Sequence, residues 1–576
     1  MYMHYNVDMH INIIPNRGSP PTVLLRESYR EGAKVCKRTL ANLSALSAAQ
    51  VQTIRATLRG DVLQPVDQTF EITASHAHGH VQAVSLAMQR LGFTSLLASK
   101  PCPERDLVAA MVASRIICPA TKLATTRLWH SSTLATEFGV TDATEDDLYA
   151  AMDWLLAGQD RIQKKLAARH LQEDSLVLYD LSSSYFEGSC CPLAKLGYSR
   201  DGKRGTLQVN YGLLTDERGC PVAVSVHAGN TSDSTTFMPE VKRLREQFGI
   251  KRMVMVGDRG MISQKAIDEM SKEDDVAWIT ALRSSSIRTL VAQGHVQMGL
   301  FDERNLLEIS SPDFPGERLV ACRNPELAKL RVHTRDDLLV ATERSLQMIK
   351  VRVEAGKLVG QDKIGVAAGK VVNQYKVAKH FELLIADDSF TFTRKADSIA
   401  AEAALDGLYI IRTSVKVARM DAPTCVRTYK SLAQVERAFR SIKTMDLKVR
   451  PIHHRLENRV RAHIFLCMLA YYVEWHMRQA WAPLLFADED QAAKLVRDPV
   501  APATRSNAAL KKVLSRTLDD GSPVHSFQTL MAQLQSIVRN TCRTPGSAVD
   551  APTFEIITTP NHTQKRALDL INQIKP

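Results

Sequence analysis

Three carboxylates stand in sequence contexts that could hold metal ions against a polyanion. Glu436 lies within Thr428–Lys443 (TYKSLAQVERAFRSIK), where Leu432, Val435, Phe439 and Ile442 recur at three- and four-residue steps. That spacing predicts the apolar stripe of an amphipathic helix. Glu436 sits beside the stripe rather than opposite it, and Tyr429, Glu436 and Lys443 follow one another at two-turn intervals along its edge. A carboxylate at the rim of a buried face is costly to desolvate unless a cation compensates it. Cations are plentiful nearby: Arg427, Lys430, Arg437, Arg440, Lys443, Lys448, Arg450, Arg455, Arg459 and Arg461. The stretch reads either as a core-packing helix with a solvated basic side or as a metal-binding Glu facing a polyanion, and the choice needs partner carboxylates elsewhere. Asp180 closes the apolar run SLVLYD, and Asp258 closes RMVMVGD with Gly257 and Gly260 on either side. Taken singly, an Asp at a strand end is commonly a cap or turn former.

The elements that must position these acids follow from periodicity. Residues 81–170 read as short helices, Val81 to Leu91, Glu104 to Arg115, Lys122 to Trp129, Asp146 to Ala157 and Gln159 to His170, separated by turns with Pro101, Pro103, Pro119 and Gly139. From Ser175 the texture changes to buried strands. Ser175 to Leu181, Leu207 to Leu214 and Val222 to Val226 read as strands, the last two joined by the turn TDERG. Asp233 to Phe248 reads as a helix, Arg252 to Asp258 as a strand, Ser263 to Met270 as a helix and Val276 to Leu282 as a strand. Strand, strand, strand, helix, strand, helix, strand is the order of the RNase H-like fold, in which the first and fourth strands are neighbours. Asp180 and Asp258 can then meet although far apart in sequence.

Between 283 and 400 the runs Leu319 to Cys322, Ser345 to Val353, Phe381 to Ile385 and Phe390 to Arg394 read as a β-rich insertion. Its KVVNQYKVAKH stretch offers Lys376 and Lys379 for tracking phosphates. Gly407 to Thr413 returns to a strand, and Glu457 to Trp475 is a long helix. The chain thus divides into an N-terminal extended and helical segment (1–75), a helical region suited to binding DNA ends (76–170), the first half of the core (171–282), the insertion (283–400), the second half with the Glu helix (401–480), and a small α+β C-terminal tail (481–576) suited to dimerisation.

Bulk properties agree. At 576 residues and 64.0 kDa, three to five domains or subdomains are expected. Hydrophobic content of 45% and charged content of 24% are those of an ordinary soluble protein. A formal charge of +12 and a pI near 9.1 favour a polyanionic partner. No basic amphipathic segment beside a lipid anchor favours a membrane surface instead. The ten cysteines show no CxxC pair, which fits a reducing cytosol. The first eighteen residues lack the charged start and apolar core of a signal peptide, and the longest apolar run, Ile464 to Val473, is too short to span a bilayer. His76, His78 and His80 lead into a helix with no Cys or carboxylate at ligand spacing, so they read as a polar helix start. Gly365 to Lys370 lacks the spacing of a phosphate loop, which excludes an NTPase.

With the acids placed, the chain resembles the DDE transposases of bacterial insertion sequences, the group with a β-rich insertion between the second Asp and the Glu. The resemblance rests on VLYDLSSSYFEG, VMVGDRGMIS, DGLYIIRTS and YKSLAQVERAFRSIK, and covers roughly residues 170–480. The last motif is similar to the family's Tyr-Arg-Glu-Lys signature through Tyr429, Glu436 and Lys443, with Leu432 at the Arg position. The resemblance implies an α/β RNase H-like catalytic core in which Asp180, Asp258 and Glu436 hold two Mg²⁺ ions, with Mn²⁺ able to substitute and Asp180 bridging. Phosphodiester cleavage requires an activated water and neutralised charge on the attacked phosphate and leaving oxygen, and Mg²⁺ prefers hard oxygen ligands of this kind. The partners implied are double-stranded DNA, as terminal inverted repeats and as target, and a second copy of the chain on that DNA. Tyr429 and Lys443 would position the strand, with Arg437 or Arg440 replacing the missing Arg. Trp278 reads as core packing rather than base stacking. The bacterial cytosol, with the nucleoid, is the implied location. A catalytically inactive DNA-binding derivative, a nuclease of the same fold and a basic scaffold are the competing readings.

Overall fold

Two apolar strands lie side by side in the largest sheet, one carrying Asp180 in its middle and the other stopping two residues before Asp258. In a computed structural model of the chain, residues 8–61, 69–273, 275–297, 301–490, 492, 497–548 and 550–575 are described. The residues before Asp8, part of the segment read against a signal peptide, lie outside them. The chain forms two compact units, residues 1–75 with 539–558, and residues 76–538 with 559–576.

In the larger unit the main elements are β1 (Ser175–Tyr185), β2 (Leu207–Asp216), β3 (Pro221–Ala228), β4 (Met253–Val256), β5 (Val276–Ala281), β6 (Leu306–Ile309), β7 (Arg318–Arg323) and β8 (Leu408–Thr413). The helices that matter below are α1 (Gln159–His170), α2 (Asp233–Glu246), α3 (Pro325–Glu354), α4 (Gln361–Gln374), α5 (Ala422–Lys430), α6 (Leu432–Arg440) and α7 (Glu457–Ala480). The strands line up as β6-β7-β8-β5-β4-β1-β2-β3, with the two-residue strand Lys195–Leu196 also pairing with β2. β1 runs parallel to β4 and antiparallel to β2, and β4 runs parallel to β5. The central strands are buried on both faces, which is why they read as continuous apolar runs rather than alternating ones.

One hydrophobic core joins this sheet to the helices of residues 79–170 and to α7. From Val460 to Met477 almost every α7 side chain is buried, as a helix apolar all round must be. Each fully buried Leu, Ile or Phe there contributes roughly 1.5–3 kcal/mol of transfer free energy. Trp278 is buried in the same core, 5% exposed. Among the described residues no single helix is long and apolar enough to cross a membrane.

The β-rich reading of residues 283–400 is corrected. Two strands there, β6 and β7, extend the main sheet, and Phe381–Ile385 pairs with Phe390–Arg394 as a separate hairpin, but α3 and α4 dominate the region. Ser345 to Val353, read as a strand, lies inside α3. Its buried residues Leu346, Ile349 and Val353 fall at helical spacing, and in α4 Ile364, Ala368 and Val372 do the same. These residues form a small core of their own with Leu339, Phe381 and Phe390. Gly365 and Gly369, the imitation phosphate loop, are helix-interior residues of α4.

The smaller unit holds an antiparallel meander of Asp8–Ile14, Thr22–Glu31 and Lys34–Asn42, where the sequence suggested one extended segment, followed by the helix Ala48–Leu58. The tail is split. Phe527–Gln535 and His562–Asn572 contribute to the main core, whereas Val538–Arg543 and Phe554–Ile557 form a sheet with Glu71–Ala77. Strands so remote in sequence leave no local signal of their pairing.

Candidate active site

Backbone register brings two of the acids near one another. In the parallel β1–β4 pair Leu178 stands opposite Val256; Asp180 follows two residues later within β1, and Asp258 two residues later in the turn just beyond the end of β4. Asp258 is exposed at the strand end. Its Oδ1 accepts backbone N–H bonds from Gly260 (2.7 Å) and Met261 (2.9 Å), which fixes the side chain over the turn. A Cβ on Gly260 would come within 3.2 Å of that Oδ1, and one on Gly257 within 3.1 Å of Ile262. The glycines that bracket the acid in sequence are thus the residues that give its turn room.

Asp180 is half-buried and its Oδ1 accepts the Leu181 N–H at 2.8 Å. Burial pushes its carboxyl up to about 7, and the neighbouring charges of Asp258 and Glu436 push the same way against the Leu181 hydrogen bond and the Arg200 guanidinium. Glu436 is carried by α6, which packs on β1 with Leu432, Val435, Ala438 and Phe439 buried and Glu436 exposed. Phe439 meets Tyr211 of β2 edge-on at 5.7 Å between ring centroids. Tyr429 is half-buried, and its hydroxyl is pushed up to about 12, first by burial and then by Asp258, Glu436 and Asp180, with Arg259 opposing. One tyrosine and three acids therefore share a site. Among the described residues none of the three carboxylates has a Lys, Arg or His partner within ion-pair distance.

The expected single helix from Thr428 to Lys443 is divided. α5 ends at Lys430, α6 begins at Leu432, and Ser441–Met445 is a π turn. Ser431 at the break donates its hydroxyl to the Thr428 carbonyl at 2.6 Å, a local bond that competes with helix propagation. The row of Tyr429, Glu436 and Lys443 is not one continuous helix edge. Lys443 in particular is buried. Its Nζ donates to Asp201 Oδ1 at 3.1 Å, Arg450 pairs with the same carboxylate, and burial holds its ammonium below the ordinary range. Leu432, at the Arg position of the signature, is also buried. Arg437 and Arg440 are exposed on the helix that bears Glu436. Lys379 pairs with Glu402 at 2.6 Å, and Lys376 is exposed; both flank the separate core of the insertion region.

Sequence reasoning missed Arg200 and Asp201, which lie in the Gly- and charge-rich connection after β1. Asp201 has a side chain only 1% exposed and also accepts the Tyr185 N–H at 3.1 Å, tying the end of β1 to the segment after α6. Arg200 donates to both carboxylate oxygens of Asp233 at 2.5 and 2.6 Å, its N–H bonds Ser183 Oγ at 3.1 Å, and its charge moderates Asp180. An Arg-Asp pair among glycines is a weak signal, since turns are rich in both.

Two family models match the chain. The transposase DDE domain matches residues 173–473, more than half of the chain, and the IS1634 family transposase N-terminal domain matches residues 11–65. The chain belongs to the DDE transposases of insertion sequences. It is a transposase, and so a polynucleotidyl transferase that acts on DNA. Among solved structures it is similar to the piggyBac transposase synaptic complex with hairpin DNA, at 10% identity and a TM-score of 0.35 over 79% of this chain and 77% of that one, a likeness too loose to place any residue. No curated protein matches.

Proposed function

We propose that the protein cleaves DNA at the ends of its insertion sequence and joins the freed 3′-OH ends to target DNA, with Asp180, Asp258 and Glu436 as the catalytic carboxylates. The observation that supports this is the β1–β4 pairing, which runs to Leu178 and Val256 two residues short of each acid, together with an Asp180 carboxyl raised by burial and further by Asp258 and Glu436. Three carboxylates with no ion-pair partner among the described residues are a hard-oxygen donor set that fits divalent metal ions, Mg²⁺ or Mn²⁺. When bound, two such ions supply charge neutralisation on the phosphate and a more acidic attacking water.

The chain's own residues do the rest. Asp258 Oδ1 is held by the turn, so its Oδ2 is the oxygen offered to a cation. Asp180, its carboxyl raised by burial, would release its proton to solvent if it held a cation. Tyr429 lines the site and positions the strand, and Arg437 and Arg440 contact backbone phosphates. Lys443 acts through Asp201 and Arg450, holding the segment after α6 against β1. The strand order supports an RNase H-like core. On this reading the helices of 76–170 bind the element's inverted repeats, Lys376 and Lys379 track flanking phosphates, and the C-terminal region serves a homodimer that pairs two ends. The protein works in the bacterial cytosol, at the nucleoid.

The test is cleavage and strand transfer on DNA carrying the element's terminal repeats, in Mg²⁺ or Mn²⁺. Wild type is expected to cut and join, while Asp180→Asn, Asp258→Asn and Glu436→Gln bind DNA without cutting. Full activity in any one variant removes that residue from the site. Cutting without joining marks a nuclease, and binding without cutting in either metal an inactive derivative.

A further inference from the structure

Away from the acid site, His170, Cys220 and His476 each offer a ligand atom, and these atoms all lie within 4.8 Å of one another. The three come from separate elements: His170 ends α1, Cys220 closes the turn between β2 and β3, and His476 lies on α7. Cys220 Sγ stands 3.8 Å from His476 Nε2. For metal–ligand bonds of about 2.0–2.3 Å, tetrahedral neighbours stand roughly 3.3–3.8 Å apart, so this edge already has the span a zinc ion needs. Cys220 is fully buried and His476 nearly so.

The surroundings are those of an oriented ligand set. His170 Nε2 lies 3.1 Å from the Tyr472 hydroxyl, which fixes the ring. The buried Asp216 carboxylate accepts the Cys220 N–H at 2.9 Å and the Arg218 N–H and Nε–H at 2.9 Å each, which holds the turn in shape. The Asp216–Arg218 ion pair lies beside His170 and Cys220.

We propose that His170, Cys220 and His476 bind one Zn²⁺ or similar borderline-soft dication, with water as fourth ligand, as a structural clip distinct from the carboxylate site. Neutral nitrogen and thiolate donors select such ions over Mg²⁺. Loading releases the Cys220 thiol proton to solvent. The clip fastens the β2–β3 turn to α7, and that turn supports the acid helix. Gly219 has a left-handed φ of +83°, and a Cβ there would come 2.7 Å from the Gln434 Cβ of α6, two residues before Glu436. The inference does not depend on the catalytic reading, because its readout is spectroscopic.

The experiment is Co²⁺ titration of the EDTA-treated full-length protein, followed by Zn²⁺ displacement. A thiolate-to-cobalt charge-transfer band saturating at one ion per chain and bleached by Zn²⁺ is expected. Cys220→Ser should abolish the band, His476→Gln should weaken Co²⁺ binding at least tenfold, and Cys190→Ser should leave both unchanged. Absence of the band in wild type overturns the proposal, and this arm needs no variant to fold. A band that survives in Cys220→Ser overturns it equally.

Discussion

Two carboxyls in this molecule, one fully and one half buried, are pushed to about the same place by the same force, yet one is answered by a cation within the fold and the other is not. Glu474 of α7 is fully buried and held near 7 by that burial. Arg478 donates to its Oε1 at 2.6 Å and to Asp446 Oδ2 at 2.8 Å, while the Ser441 hydroxyl lies within 3.1 Å of both carboxylates. Gln528 adds a bond to Asp446 at 3.0 Å. Each charge there is answered by the protein. Asp180 is also held near 7 by burial, but no cation pairs with it: Asp258 and Glu436 push it up, and the opposing Arg200 guanidinium is itself bonded to Asp233. A structural acid is recognised by its internal cation, and a cation-binding site by a shortage of one. Ser441 directly follows α6, so the chain makes both arrangements within one short stretch.

The widest expected separation is in chemistry. Asp180→Asn should lower end cleavage by roughly a hundredfold or more, the scale for removing a group that stabilises transition-state charge, while its melting temperature stays level or rises. Glu474→Ala should act oppositely on stability. Removing one partner of a buried ion pair costs about 3 kcal/mol or more, and the partial exposure of Arg478 puts this site at the low end. Denaturant midpoints of the two variants check the contrast, and equal losses in both would erase it.

The third difference is in pH. Both carboxyls have folded values raised above the ordinary carboxylate value near 4, so each contributes stability that is fully present below that value and is lost as pH rises through about 7. Only the Asp180 share should respond to Mg²⁺, which stabilises the ionised form. Melts at about pH 5 and about pH 8 with and without Mg²⁺ should show a metal-dependent gain that grows with pH. Asp180→Asn should remove that gain, and Glu474→Gln should leave it intact.

The smallest effects fall on the basic residues, and they separate Lys443 from its neighbours. Arg437→Ala and Arg440→Ala should each flatten the salt dependence of DNA binding by about one unit of slope, the share of a single neutralised phosphate. Lys443→Ala should lower the melting temperature instead, because its ammonium is committed to Asp201. A salt-slope change in Lys443→Ala without a loss of stability would falsify that assignment.

Much of this site was legible in the sequence. Strand periodicity, the glycines around Asp258 and the apolar stripe beside Glu436 are local signals, and the structure keeps both strands, the tight turn and a helix with Glu436 at its rim, but the first strand runs on past Asp180 to Tyr185 instead of ending there. The same logic applied to Ser345 to Val353 gave a strand where α3 runs, because a short apolar run fits either period until packing selects one face. The break at Ser431, the burial of Lys443 against Asp201 and the pairing of the tail strands with Glu71–Ala77 were beyond local reading. The meeting of His170, Cys220 and His476 was too. Sequence by itself determined which residues could form strands, helices and metal-seeking acids, since those depend on nearest neighbours along the chain. Tertiary structure decided which charges are answered from within, because burial and ion pairing depend on residues that only folding brings close.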